Sequence, residues 1–191
     1  ARPRTIHGIA SRLFIPLTVG GGIASLDDAA AMFDAGADKV SLNTAALRDP
    51  SLVTRISNRY GSQAVIVAID VQRTTDGARA HLLSGARRTA WHAVDWAREA
   101  CPRGAGEILV TSIDRDGTRE GFDVDVTAEL ARAVPVPVIA SGGAGTHRHF
   151  VEAFTTGCAD AALAASIFHF SEHAVPELKA YLASAGVQVR C

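Results

Sequence analysis

Short, unbroken apolar runs alternate along the chain with longer stretches in which apolar residues recur at helical spacing. The runs are Ile15–Val19, Lys39–Leu42, Ala64–Ile69, Glu107–Ile113, Val136–Ala140 and Ala161–Ala165. Each is continuously apolar rather than alternating, which predicts strands buried on both faces or closed into a barrel. Helices are predicted over Ser25–Ala35, Pro50–Tyr60, Thr89–Ala100, Val124–Ala133, Thr146–Thr155 and Val175–Ser184. Ser25 ahead of Leu26-Asp27-Asp28, and Asp49-Pro50-Ser51, carry helix-start chemistry. Repeated strand-then-helix order gives a parallel sheet with right-handed crossovers. One connection, Val71–Arg88, is long; Thr75-Asp76-Gly77 and Ser84-Gly85 are turn signals, and Ala80–Leu83 between them suits half of a small hairpin. A long loop leaving the C-terminal end of a barrel strand is where such folds place active-site covers.

The chain also resembles itself. Ile15-Pro16-Leu17-Thr18-Val19-Gly20-Gly21-Gly22 reads against Val136-Pro137-Val138-Ile139-Ala140-Ser141-Gly142-Gly143. Gly36-Ala37-Asp38 leads into a strand ending Asn43-Thr44, as Gly157-Cys158-Ala159-Asp160 leads into one ending Ala165-Ser166. Each copy is a quarter-barrel of strand, double glycine, helix, strand and small polar residue, so two half-barrels share one plan. A glycine pair at a strand end lets backbone amides approach an oxyanion, and small polar residues on the next strand add donors. Two such sites on opposite sides of a barrel mouth suit a substrate with a phosphate at each end. Candidate ligands are Gly22, Asn43 and Thr44 at one site; at the other they are Asp116, Gly117, Ser141, Gly142, Gly143, Ala165 and Ser166.

Carboxylates add candidate chemistry. Asp70 follows the strand Ala64–Ile69, and Asp114 and Asp116 follow Glu107–Ile113. At C-terminal strand ends these face the mouth, where a carboxyl can serve as general acid or base. Asp70 has no cap motif after it and is the catalytic candidate, whereas Asp114 and Asp116 beside Arg115 fit an ion-pair network equally well. His147 and His149 are spaced i, i+2, which does not place two ligands on one helical face, and His169 and His173 follow the last strand, so ordinary surface or packing histidines and no metal are expected. The 19 basic and 20 acidic residues leave little net charge and point to neither nucleic acid nor an acidic membrane. Three scattered cysteines without CxxC spacing predict a reduced, cytoplasmic protein.

With these residues in hand the chain resembles the cyclase subunit of imidazole glycerol phosphate synthase. The likeness rests on Pro16–Gly22, Gly36–Ala46, Gly61–Asp70, Gly104–Thr118, Ala140–Gly145 and Ala164–Phe170, and it spans nearly everything from Ile15 onward. The resemblance implies a (β/α)8 barrel of the phosphate-binding, half-barrel-repeat type. It implies an enzyme that joins ammonia to a phosphoribulosyl-formimino aminoimidazole carboxamide nucleotide. Ring closure then releases imidazole glycerol phosphate and aminoimidazole carboxamide ribotide, with no cofactor. Two aspartates act as acid and base in the family, and Asp70 matches one of them. Ammonia arrives from a glutaminase subunit docked on the N-terminal barrel face and crosses the barrel centre; Lys39 and Glu107 match the charged gate there.

The family's second aspartate, on its first strand, has no counterpart in this chain. By the repeat, a strand, helix and strand of about 58 residues are expected ahead of Ile15. The expected architecture is therefore one partial barrel of about six parallel strands, with residues 1–63 from the first half-barrel and 64–191 forming the second. Unpaired edges predict poor stability or self-association and no turnover alone. The alternatives are the sister phosphoribosyl-formimino isomerase of the same pathway, which shares the repeat, and an inactive fragment that binds only partner or phosphate.

Overall fold

A computed structural model describes residues 2–190. In chain order the elements are α1 (Pro3–Ala10), β1 (Thr18–Gly20), α2 (Leu26–Asp34), β2 (Lys39–Leu42), α3 (Thr44–Arg48) and α4 (Ser51–Tyr60). Then follow β3 (Val65–Thr74), β4 (Gly77–Leu82), β5 (Arg87–His92), α5 (Ala93–Ala100), β6 (Glu107–Ser112) and α6 (Val124–Ala133). The chain continues through β7 (Val138–Ser141), α7 (His147–Thr155), β8 (Ala161–Leu163), α8 (Ser166–His169) and α9 (Val175–Ser184). Six strands pair in parallel in the order β1-β2-β3-β6-β7-β8, the order of consecutive strands in a (β/α)8 barrel, while β4 and β5 attach to β3 as an antiparallel extension. Among the described residues, β1 pairs only with β2 and β8 only with β7.

The sheet has two unlike faces. Val40, Leu42, Val65, Val67, Ile69, Ile108, Val110, Val138 and Ala140 point toward the helices and are buried. Alternation along the strands puts Ser41, Ala68, Asp70, Glu107, Leu109, Thr111 and Ser141 on the concave side, where they are only partly covered. Unbroken apolar runs thus arise from aliphatic residues under the helices alternating with small or apolar residues on the inner face.

The repeat has a hydrogen-bonded counterpart. Asp38 Oδ2 accepts from the Leu17 amide at 2.7 Å, and the Asp38 amide donates back to the Leu17 carbonyl at 2.9 Å. Asp160 does the same with Val138, at 2.9 Å in both directions. The aspartate after each Gly-Ala segment therefore clasps the start of one strand to the start of the next. Ser25 caps α2 as its sequence indicates, its hydroxyl accepting from the Asp28 amide at 3.1 Å.

Some predicted boundaries move for identifiable reasons. The strand expected at Ile15–Val19 begins only at Thr18, because Pro16 has no amide to donate and Ile15 stands 69% exposed. The helix expected from Thr89 begins at Ala93. Residues Arg87–His92 instead pair with β4, and Thr89 Oγ1 donates to the Ala80 carbonyl at 2.7 Å. The strand carrying Asp70 does not end there: β4 pairs alongside it and carries β3 on to Thr74. What reads in sequence as a long loop is mostly this three-stranded extension.

Candidate active site at the strand ends

Asp70 sits where three strands meet, in register with Thr111 of β6 on one side and His81 of β4 on the other. Its carboxyl is half-buried on the concave face. Burial pushes its pKa up and the nearby Asp116 carboxylate adds to the push, while the Asn43 side chain, His81 and the Gly85 amide draw it back. The net direction is upward, so the protonated form is favoured relative to a free aspartate. His81, which no sequence pattern singles out, is buried opposite Asp70, with Nδ1 3.1 Å from the Arg79 carbonyl oxygen. Its location depends on the β3–β4 register, which patterning does not reveal.

The two sets of candidate phosphate ligands fall into two separate cavities. A cavity of about 630 Å³ is lined by Gly22, Asn43, Thr44 and Asp70, with Leu83 and Ser84 of the β4–β5 turn bending over it. The Leu83 amide donates to Thr44 Oγ1 at 2.9 Å, so the turn is pinned to the site. That contact uses the Thr44 oxygen as an acceptor and leaves its proton for another partner. A second cavity of about 230 Å³ is lined by Asp116, Gly117, Ser141, Gly142, Gly143, Ala165 and Ser166. Each cavity also has an arginine on its wall, Arg48 in the first and Arg119 in the second, and neither was singled out in the sequence.

The glycine pairs adopt matching conformations, with φ of +85° and +76° at Gly21 and Gly22 and +89° and +97° at Gly142 and Gly143. This left-handed region admits other residues only with strain. The pairs differ in packing. A methyl group at Gly21 would meet nothing within 4 Å, whereas one at Gly143 would lie 2.1 Å from the Gly121 carbonyl oxygen. Gly143 is therefore required by contact with the β6–α6 loop as well as by any approach of a ligand.

Asp114 and Asp116 divide. Asp114 Oδ2 accepts from the Arg73 amide at 2.8 Å and so belongs to the β3 extension rather than to either cavity. Asp116 remains on the wall of the second cavity. Arg73 also reaches Asp123, donating from Nε at 2.8 Å and forming an ion pair through a terminal guanidinium nitrogen. Asp123 is buried and caps α6 at the Val126 amide, 3.2 Å away. Burial opposes its ionisation, but Arg73 and that amide outweigh burial and hold its carboxyl below the usual range.

At the other end of the strands, Lys39 and Glu107 form an ion pair across β3, with side chains 27% and 21% exposed. Ser41, Ala68 and Leu109 share the inner face between this pair and Asp70. Two of the histidines expected to be surface or packing groups make specific bonds. His149 completes a capping box with Thr146, and His173 contacts the Gly145 carbonyl oxygen at 3.1 Å.

The family model described as "Histidine biosynthesis protein" matches residues 2–174. The imidazole glycerol phosphate synthase subunit HisF of Acidobacterium capsulatum is 57% identical over 186 residues, covering 97% of this chain and 74% of that protein. The HisF subunit of Pelodictyon phaeoclathratiforme is 54% identical over 95% of this chain and 72% of its own length. That of Geobacillus kaustophilus is 54% identical over 97% and 74%. With a family model over residues 2–174 and relatives of 54–57% identity over nearly the whole chain, the chain belongs to the cyclase-subunit family of imidazole glycerol phosphate synthase.

Proposed function

We propose that the family's cyclase reaction takes place at Asp70, with the two phosphates of the nucleotide substrate held in the two glycine-lined cavities. The separation of the duplicated ligand sets into two cavities on one mouth carries this reading. Phosphate oxygens would meet the backbone at Gly22 and Gly143 and the side chains of Asn43, Thr44 and Ser166, with Arg48 and Arg119 supplying positive charge. Asp116 is itself anionic, so its role is to accept from substrate hydroxyls rather than to bind phosphate. Asp70, half-buried and shifted toward its protonated form, is suited to pass a proton to and from the closing ring.

Ammonia would enter past Lys39 and Glu107, supplied by a glutaminase partner on that face of the barrel. Ser41 and Ala68 are small enough to leave a path along the inner face toward Asp70. In this reading residues 1–63 belong to one half-barrel and 64–191 to the other, a division supported by the repeated aspartate clasp. The setting would be the cytoplasm; among the described residues no helix is long and apolar enough to cross a membrane.

The test is ammonia-dependent turnover in a chimera in which residues 2–190 replace the matching segment of a HisF relative. Asp70→Asn should lower turnover by roughly 10²-fold or more and leave substrate affinity within a few-fold. Near-normal turnover would remove Asp70 from the chemistry.

A further inference from the structure

The loop from Gly142 to Thr146 lines the second cavity through Gly142, Gly143 and Ala144, and its two ends are fixed differently. At one end the Gly121 amide donates to the Gly143 carbonyl at 2.8 Å. At the other end, two histidines grip a single residue, Gly145. His149 Nδ1 accepts from the Gly145 amide and from the Thr146 amide, each at 3.2 Å. His173 Nε2 lies 3.1 Å from the Gly145 carbonyl oxygen. The partners fix the protonation pattern: facing two N–H groups, His149 Nδ1 must offer its lone pair, and facing a carbonyl, His173 Nε2 must carry a proton.

Both rings are braced. The His149 ring packs against Gly121, where an added methyl would sit 3.4 Å from Cδ2, so the loop's two anchors touch each other. The His173 ring packs at a tilt against His147, with centroids 4.4 Å apart, and the His147 ring in turn lies 5.4 Å from that of Tyr181. Next to His173, Glu172 pairs with Arg119 at 2.7 Å, tying the same segment to the cavity wall. Among the described residues, the amides of Gly143 and Ala144 have no such partner.

The first half of the repeat contains the same device in different chemistry. Aligning Gly21-Gly22 with Gly142-Gly143 places Ala24 on Gly145, Ser25 on Thr146 and Asp28 on His149. Asp28 Oδ2 accepts from the Ala24 amide at 3.0 Å, as His149 Nδ1 accepts from the Gly145 amide. An acceptor at the third position of the following helix thus restrains the glycine loop in both halves. The second half uses an imidazole and adds a second imidazole on the carbonyl side.

We propose that His149 and His173 are positioning residues for the second phosphate cradle, clamping Gly145 by its amide and carbonyl so that the Gly143 and Ala144 amides stay aimed into the cavity. This rests on the phosphate reading of that cavity. Preorganised amides bind an anion without first losing loop freedom, so releasing the clamp should weaken binding without displacing any ligand group. Glutamine is a usual occupant of the third helical position in a capping box, so His149→Gln restores an acceptor where His149→Leu cannot.

The experiment is titration of the full chain with inorganic phosphate, followed through the amide resonances of Gly143, Ala144 and Ser166 for the second cradle and Gly22, Ile23 and Thr44 for the first. His149→Leu should weaken phosphate binding at the second cradle roughly tenfold and leave the first within about twofold, which also reports that the variant is folded. His149→Gln should return to within about threefold of the parent, and His173→Leu should weaken the second cradle several-fold. Parent-like binding in His149→Leu, or equal losses in the Leu and Gln variants, would overturn the positioning role. If the parent's Gly143, Ala144 and Ser166 amides ignore phosphate while the first cradle responds, the phosphate reading of this cavity fails and the proposal with it.

Discussion

Gly143→Ala and Gly117→Ala form a paired test of what the second cradle's glycines are for. Both residues are left-handed, with φ of +97° and +77°, so each alanine incurs about 1–2 kcal/mol of backbone strain. At Gly117 the added methyl meets nothing within 4 Å and enters open space on the cavity wall. At Gly143 it would lie 2.1 Å from the Gly121 carbonyl oxygen and 3.0 Å from Arg115 Cβ. Backbone must move to accommodate it, which adds about 1–3 kcal/mol of overpacking and puts at risk the Gly121–Gly143 hydrogen bond, worth about another 1 kcal/mol. Gly143→Ala should therefore cost about 3–6 kcal/mol and lower Tm by on the order of 10 °C, against only a few degrees for Gly117→Ala. Thermal unfolding by circular dichroism measures the first effect and phosphate titration the second. Gly117→Ala should lose phosphate affinity at the second cradle while remaining well folded. If the two variants unfold within about 1 kcal/mol of each other, the contact with Gly121 is not what demands glycine at 143.

Other consequences are equally direct. Asp123→Ala removes the α6 cap and the charge-assisted bonds to Arg73; because Arg73 stays half-exposed and solvated, the loss should be about 2–3 kcal/mol in denaturant unfolding. The carboxyl of Asp123 is held below its ordinary value, so its stabilisation is present above about pH 4 and is lost as pH falls through the lowered value. Asp123→Asn should flatten that acid limb. Asp70 has the opposite sign: its raised pKa favours the folded state at low pH, and that contribution is lost as pH rises through the folded value. Asp70→Asn should consequently raise Tm at pH 7 relative to the parent by more than it does at pH 3; equal shifts would contradict the burial argument. Lys39→Met leaves Glu107 unpaired on the inner face and should cost about 1–2 kcal/mol, most of it recovered by adding Glu107→Gln in a double-mutant cycle.

What could be read from the sequence follows the range of the interaction concerned. The six parallel strands were legible because both sheet faces leave apolar runs, and the lining of the two glycine-rich cavities because glycine pairs and small polar residues recur at matching offsets. The β5 strand was not legible, since Ala93, Trp96, Ala97 and Ala100 recur at helical spacing and Thr89–His92 read as the start of the same helix; only pairing with β4 makes Arg87–His92 extended. The Arg73–Asp123 pair, the His81–Asp70 register and the grip of His149 and His173 on Gly145 join residues far apart in the chain or depend on ring orientation. No periodicity encodes such contacts. The aspartate after each Gly-Ala segment was visible as a repeat, but its clasp became interpretable only with Leu17 and Val138 in place.

The duplicated halves have kept a scaffold and diverged in how open they are. The aspartate clasp, left-handed glycine pair and acceptor at the third helical position occur in both. The second glycine loop, however, is packed against the β6–α6 loop and gripped by two histidines around a cavity of about 230 Å³. The first has free space at Gly21, a cavity of about 630 Å³, and Asp70 on its wall beneath the β4–β5 turn. A tight pocket with fixed amides suits a terminal anion that does not react. A roomier one beside a half-buried carboxyl can admit a phosphate together with the atoms joined to it. On the function proposed here, the second cradle anchors the substrate and the first holds the end nearer the chemistry. Loosening the His149 clamp should then act on affinity rather than on turnover, whereas Asp70→Asn should do the reverse.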